Sequence, residues 1–373
     1  MLWWLNLLPD LKIFGVPLRV VAPIGFVLNS KIKKDTLFFL LFSVFYLIAY
    51  ITIAFISERS LTASDFGVSI TFVLLFFYAN YGINYPEKFL FFLRLFFLLN
   101  ILYIIYQISM IYFGLPEFTM LHQNVHSKSY VIPYSNYPPY LPRYTGLFVE
   151  SAPLTIYLAM SFFVFINTGE KYDKVFAVFA LVLMLLGGAK SVFFFLLIFI
   201  LRFFNFYKYL SIKLLSMTFI LLSFMAALNQ DYLLNFLLSL DSKMLAIGSI
   251  VVRISWLLTT IQDFFHSPFS TAFGQGFVTT EQLLENSVRQ RGIDFFSYFV
   301  YSVGLFGTAF LIFTLYKVFG GNKLAFISKQ DMRFALSIVI LSSLIMGSIF
   351  NFQYVYFLCS LLVLNKIRER SCF

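Results

Sequence analysis

Four arginines, Arg143, Arg253, Arg289 and Arg291, stand beside apolar runs in the parts of the chain that carry few other cations. The guanidinium group is always charged and presents a planar fork of donors, which suits it to bidentate recognition of phosphate. Arg143 closes the polar, proline-rich stretch HQNVHSKSYVIPYSNYPPYLPRY and opens RYTGLFVESAP, in which Glu150 and Pro153 follow. A helix starting near Thr145 or Gly146 would carry Glu150 about 1.5 turns inside, roughly 6 Å deep. A charge in hydrocarbon is costly, so Glu150 should face a partner or a wet cavity, with Arg143 two turns up on about the same face. Pro153 would remove the bond that the Val149 carbonyl accepts and so open the helix there. Two readings fit: a buried ion pair at a kinked helix lip, or a polar pocket that opens outward. Metal chemistry has no visible ligand set, because His122, His126 and His266 form no spaced cluster with the acidic residues. Cys359 and Cys372 give neither a metal spacing nor a disulfide framework. No cofactor is expected.

The elements that must position these arginines are membrane helices. The chain is 60% hydrophobic, 21% aromatic and only 12% charged, against about 25% charged in soluble domains. Its apolar residues come in blocks of about 17–25, the length that crosses a hydrocarbon core as helix, and lack the period of two of a membrane barrel. The pattern predicts spans near 13–29, 36–56, 66–83, 89–113, 146–167, 173–188, 190–206, 212–228, 295–318, 332–349 and 351–366. The first is interrupted by Pro17, Arg19 and Pro23, so the expected count is 10–12. The fold class is all-α: one integral membrane bundle over residues 1–373, with the lipid bilayer as its surroundings. The N-terminus shows no cleavable signal pattern.

Charge placement gives the orientation. Of the 27 Lys and Arg, 17 lie in one alternating set of connections and 8 in the other, with Lys12 and Arg19 in the ambiguous first segment. By the excess of cations on cytoplasmic loops, the first set and the C-terminus are cytoplasmic. The net charge of +10 is thereby a matter of topology, and no nucleic-acid partner is implied. Two connections on the other side are long, about 115–144 and 229–294, and long polar loops on one face place function there. Within the second, Ile250, Ile254, Leu257, Ile261 and Phe264 recur at helical spacing. This predicts an amphipathic helix over about 249–265, capped by Ser249 and ended by Pro268. FGQGF then puts Gly274 and Gly276 in a turn.

Three stretches in this order resemble the superfamily of O-antigen polymerases and O-antigen ligases, bacterial inner-membrane glycosyltransferases. RYTGLFVESAPLTIYLAM is similar to the start of the span after the family's first periplasmic loop. VVRISWLLTTIQDFFHSPFSTAFGQGF resembles its Arg-x-x-Trp helix, proline and Gly-x-Gly turn. DFFSYFVYSVGLFGTAFLIF is similar to the span with a Gly-x-x-Gly, here Gly304 and Gly307. Ligases of the superfamily tend to carry His and then Asn, Ser or Gln at the positions that are Ile293 and Asp294 here, a departure that favours polymerase over ligase.

The resemblance implies a GT-C-like helical fold and undecaprenyl-diphosphate-linked oligosaccharides as substrates. The glycan would be transferred at the periplasmic face without a metal, and a chain-length regulator is an implied partner. Arg143 and Arg253 would hold the diphosphate, with Arg289 or Arg291 contributing. Asp294 is the first candidate for the base, ahead of Glu150 and His266, and Glu150 has the alternative role of holding Arg143. Rival readings are an O-antigen ligase, a flippase or transporter of lipid-linked oligosaccharide, and a non-catalytic scaffold.

Overall fold

The computed structural model describes residues 12–13, 16–17, 31–56, 66–113, 144–148, 151–187, 192–204, 264–265, 268–274, 300–320, 324–346 and 352–371. Among these residues the regular structure is helical apart from an antiparallel ladder of two residues each, β1 (Lys12–Ile13) with β2 (Val16–Pro17). That ladder corrects the expectation of a helix beginning at residue 13: Pro17 fixes its own φ and cannot donate to an interior helical bond. The helices are α1 (Leu37–Ile56), α2 (Gly67–Asn84), α3 (Pro86–Phe113), α4 (Ser151–Asn167), α5 (Lys171–Leu186) and α6 (Val192–Phe203). They continue with α7 (Pro268–Phe273), α8 (Tyr301–Phe319), α9 (Lys329–Met346) and α10 (Phe352–Ser371). A 3-10 turn, Lys34–Thr36, leads into α1.

Among the described residues, three helical stretches, Lys34–Ile56, Pro86–Ser109 and Tyr301–Phe319, are long and apolar enough to cross a membrane; Val68–Asn84, Pro153–Asn167 and Val192–Phe203 are shorter apolar helices. The predicted span at 212–228 lies outside the described residues.

α10 occupies the centre. It packs on α2, α3 and α4, and from Gln353 to Asn365 only Leu358 is not fully buried. α1 lies against α2 and α8, α4 against α5 and α9, and α6 against α9. Phenylalanine fills the contacts: Phe163 meets Phe334 of α9 and Phe357 of α10 at 5.5 and 5.4 Å. The outward surface is equally apolar, with Phe55, Phe113, Phe193 and Phe203 each at least 75% exposed. Large apolar side chains exposed along so many helices suit a lipid surrounding rather than water.

Apart from Lys12, every charged side chain among the described residues lies toward one end of the bundle, and bonds tie the chain ends there together. Arg94 of α3 donates to buried Asp173 of α5 through Nε and Nη2 at 2.7 and 2.8 Å, and to Glu170 at 2.5 Å. Arg202 at the end of α6 pairs with Asp331 at 2.7 Å. Arg368 of α10 donates to the Asn167 side chain at 2.7 Å and its carbonyl at 3.1 Å, and reaches Asp331 at 3.5 Å. Ser328 and Asp331 cap α9 reciprocally: the Ser328 hydroxyl donates to the Asp331 carboxylate at 2.7 Å and accepts the Asp331 N–H at 3.0 Å. The described ends of the cation-rich connections thus meet at a single pole, as the alternation of Lys and Arg along the sequence predicts.

Arg94→Ala would leave the Asp173 carboxylate buried without its cation, a loss of about 3–5 kcal/mol. Arg370→Ala breaks only the 3.6 Å contact with Glu87, whose side chains are 56% and 83% exposed, and should cost less than about 1 kcal/mol. Thermal unfolding of the detergent-purified variants measures both. Equal shifts would contradict this ranking.

Candidate functional site

The helix expected from residue 146 begins at Ser151. Tyr144–Phe148 forms a buried turn instead, with Phe148 N–H donating to the Thr145 carbonyl at 3.2 Å and Gly146 at φ 59°. The turn exists because α3 supplies two amides for it. Gln107 Oε1 accepts the N–H groups of Thr145 and Gly146 at 3.2 and 2.9 Å, and its Nε2 donates to Thr145 Oγ1 at 2.9 Å. Asn100 Oδ1 accepts the N–H of Leu147 at 3.1 Å while its Nδ2 returns to the Phe96 carbonyl at 3.1 Å. Tyr144 donates its hydroxyl to the Leu183 carbonyl near the end of α5. Asn100 and Gln107 are seven residues apart, so they share a face of α3 and span about 10 Å along it. Gly146 is required: a Cβ there would lie 2.9 Å from Asn100 Oδ1 in a left-handed backbone that side chains disfavour.

This geometry corrects one expectation: no helical register runs through 144–148, so no continuous helix starts at Thr145 or Gly146. Val149, whose carbonyl Pro153 is expected to leave without a bond, lies outside the described residues; Pro153 itself stands near the start of α4.

A second irregularity joins two motif stretches. α8 is interrupted at Gly304, whose φ of 68° and ψ of −172° are not helical. Against that break lies the end of α7 at Gly274, with φ 84°. A Cβ on Gly274 would sit 2.3 Å from the Ser302 carbonyl oxygen, and one on Gly304 would sit 2.4 Å from that of Ala272. The two backbones touch, which explains both glycines and couples the FGQGF turn to the Gly-x-x-Gly span. Thr308 Oγ1 donates to the Gly304 carbonyl at 2.7 Å. Thr271 Oγ1 donates to the Phe264 carbonyl at 2.8 Å, and Phe273 packs on Phe306 at 5.3 Å. Pro268, expected to follow a helix, is the first residue of one, a position that tolerates its missing N–H.

Both irregular segments lie in the half of the bundle away from the cationic pole. α8 ends beside the 3-10 turn of that pole, and Gly304 lies 15 residues earlier, about 22 Å along the helix. Ser151 is likewise the far end of α4 from Asn167. Apart from Lys12, no charged side chain among the described residues enters that half. Arg143, Glu150, Arg253, Arg289, Arg291, Asp294 and His266 lie outside the described residues, as do most of the helix expected over 249–265 and both long connections save Tyr144, Phe264, Phe265 and 268–274. Among the described residues no group of His, Cys, Asp and Glu could hold a metal ion. Sequence reasoning missed Asn100 and Gln107; their signal was two lone amides at a spacing of seven in an apolar run.

Gly304→Ala and Gly274→Ala should each remove folded protein from the membrane, because a backbone would have to retreat by about 1 Å to reach ordinary contact. Gln107→Leu should destabilise by about 1–3 kcal/mol by orphaning buried N–H groups. Membrane yield and unfolding temperature read all three, and wild-type values for Gly304→Ala would contradict the crossing.

Searches of family models, of curated proteins and of solved structures found no match to this chain.

Proposed function

We propose that this chain polymerises a cell-surface polysaccharide from lipid-linked repeat units. In this reading it is a bacterial inner-membrane bundle of about eleven spans, with both long connections periplasmic and the C-terminus cytoplasmic. The observation that carries the proposal is the order of the three motif stretches. The contact of Gly274 with Gly304 supports it, since two stretches 30 residues apart in sequence meet as backbone. The buried turn at 144–148 adds a fixed point from which the first long connection is held.

The reaction moves the growing glycan from undecaprenyl diphosphate to a hydroxyl of the terminal sugar on a new lipid-linked unit. The hydroxyl oxygen forms the bond to the anomeric carbon as the bond from that carbon to the diphosphate oxygen breaks. The hydroxyl proton passes to a base, and undecaprenyl diphosphate departs as an anion. Arg143 and Arg253, with Arg289 or Arg291, stabilise the developing diphosphate charge. Asp294 takes the proton, with Glu150 and His266 as the other candidates.

Deletion of the gene should collapse the surface polysaccharide ladder to lipid cores bearing one repeat unit. Complementation with Arg253→Ala should leave that pattern unchanged while the protein remains in the membrane. Cores with no repeat would indicate a flippase, and polymer accumulated off the core would indicate a ligase. A full ladder from Arg253→Ala would remove that residue from the site.

A further inference from the structure

The cationic pole holds a feature that glycan transfer on the opposite face does not use. The segment leading into α1 crosses the end of α2 and is pinned there twice: Lys33 N–H donates to Asn80 Oδ1, and Asn84 Nδ2 donates to the Lys31 carbonyl, both at 2.8 Å. Asn80 is itself buried and fixed by Thr36 Oγ1 and the Phe76 carbonyl, at 2.7 and 2.8 Å. This places Lys31, Lys33 and Lys34 around the joint between α2 and α3, all three exposed. From the first turn of α3, exposed Lys88 holds its ammonium 5.3 Å from the centre of the Tyr85 ring, and Tyr85 lies 5.3 Å from Tyr81. None of these four lysines pairs with a carboxylate among the described residues. Asp35 and Glu87 are the acids nearby, and Glu87 faces Arg370.

Below this corner the surface turns apolar. α2 is otherwise covered by α1, α3 and α10, but Ile70, Val73, Phe77, Tyr81 and Asn84 stay half-buried at helical spacing. This row runs from the apolar middle of the bundle to the lysines. On α1, Leu41 and Ile48 are 55% and 61% exposed, and on α3, Phe91 and Leu102 are 56% and 62% exposed. Each helix beside α2 therefore also presents apolar side chains outward.

We propose that this corner binds an anionic phospholipid, its phosphate among Lys31, Lys33, Lys34 and Lys88 and its acyl chain along the half-buried row of α2. Charge complementarity selects the occupant. Four exposed cations that pair with no carboxylate among the described residues suit anions, and at a membrane boundary the anions at that depth are headgroup phosphates. Tyr81 and Tyr85 sit where a ring with an apolar body and a polar tip is stable, between headgroup and hydrocarbon. The row on α2 supplies a floor that a soluble anion would not use. This inference does not depend on the proposed polymerase activity.

The test uses the full-length protein in neutral detergent, with phosphatidylglycerol and phosphatidylcholine added in equal amounts and bound lipid counted by native mass spectrometry. Wild type should retain phosphatidylglycerol at least tenfold over phosphatidylcholine. A variant with all four lysines changed to Gln should lose that preference, and its Lys→Arg counterpart should keep it. Lys171→Gln with Lys174→Gln, at the same pole but on α5, should bind like wild type. Loss in the α5 variant equal to that in the four-lysine variant would overturn the site in favour of a diffuse charge effect. Displacement of the lipid by millimolar inorganic phosphate or by a short oligonucleotide would overturn the lipid assignment. If the fourfold Gln variant fails to fold, Lys88→Gln alone should still lower the preference, and an unchanged preference would overturn the proposal.

Discussion

Inside a bundle this apolar, a polar group can be satisfied only by another group of the protein, and the described structure is organised around that constraint. Ser43 and Ser69 exchange hydroxyl-to-carbonyl bonds at 2.9 and 3.2 Å across α1 and α2. Asn80 locks the entry to α1, and Arg368 closes the carbonyl end of α4 through Asn167. Departures from helix in a hydrocarbon surrounding need such partners or a wet cavity. The turn at Tyr144–Phe148 therefore depends on Asn100 and Gln107, and the break at Gly304 on Thr308 and on the close approach of Gly274.

The same constraint separates the two ends. Among the described residues, charge other than Lys12 is gathered at one pole, where ion pairs bind α3 to α5, α6 to α9 and α10 to α9, and hydrogen bonds from Arg368 to Asn167 bind α10 to α4. The opposite half holds buried, non-helical backbone that the helices fix in place. A fixed turn and a fixed crossing are suitable supports for the long connections, which in the proposed transfer would have to position a bulky lipid-linked glycan.

The helices were legible from the length and spacing of apolar runs, because hydrophobic periodicity follows directly from burial. α1, α2 and α6 fall within three residues of their expected limits. The gathering of Lys31, Lys88, Arg94, Lys171, Arg202, Lys329 and Arg368 at one pole was legible too, since cations alternate loop by loop. The start of α4 was not. RYTGLFVES reads as the entry to a helix, and only the amides of α3, 38 residues or more away in sequence, make its described part, 144–148, a turn. FGQGF was likewise uninformative alone: the need for glycine at 274 comes from the Ser302 carbonyl on another helix. The buried centrality of α10 was hidden by its charged tail, whose Arg368 serves the fold. For the candidate site, the sequence names Arg143, Arg253, Arg289, Arg291, Glu150 and Asp294, and what the described structure adds is the framework next to the first of them.

The central claim is that this chain lengthens a lipid-linked glycan. The most direct measurement incubates the purified protein, reconstituted in liposomes, with the purified undecaprenyl-diphosphate-linked repeat unit and follows product length by gel and mass spectrometry. The account predicts a ladder of lipid-linked products rising by one repeat unit per step, with chelator present or absent. Repeat units transferred without lengthening to a lipid core acceptor, or carried across the liposome membrane unchanged, would contradict it.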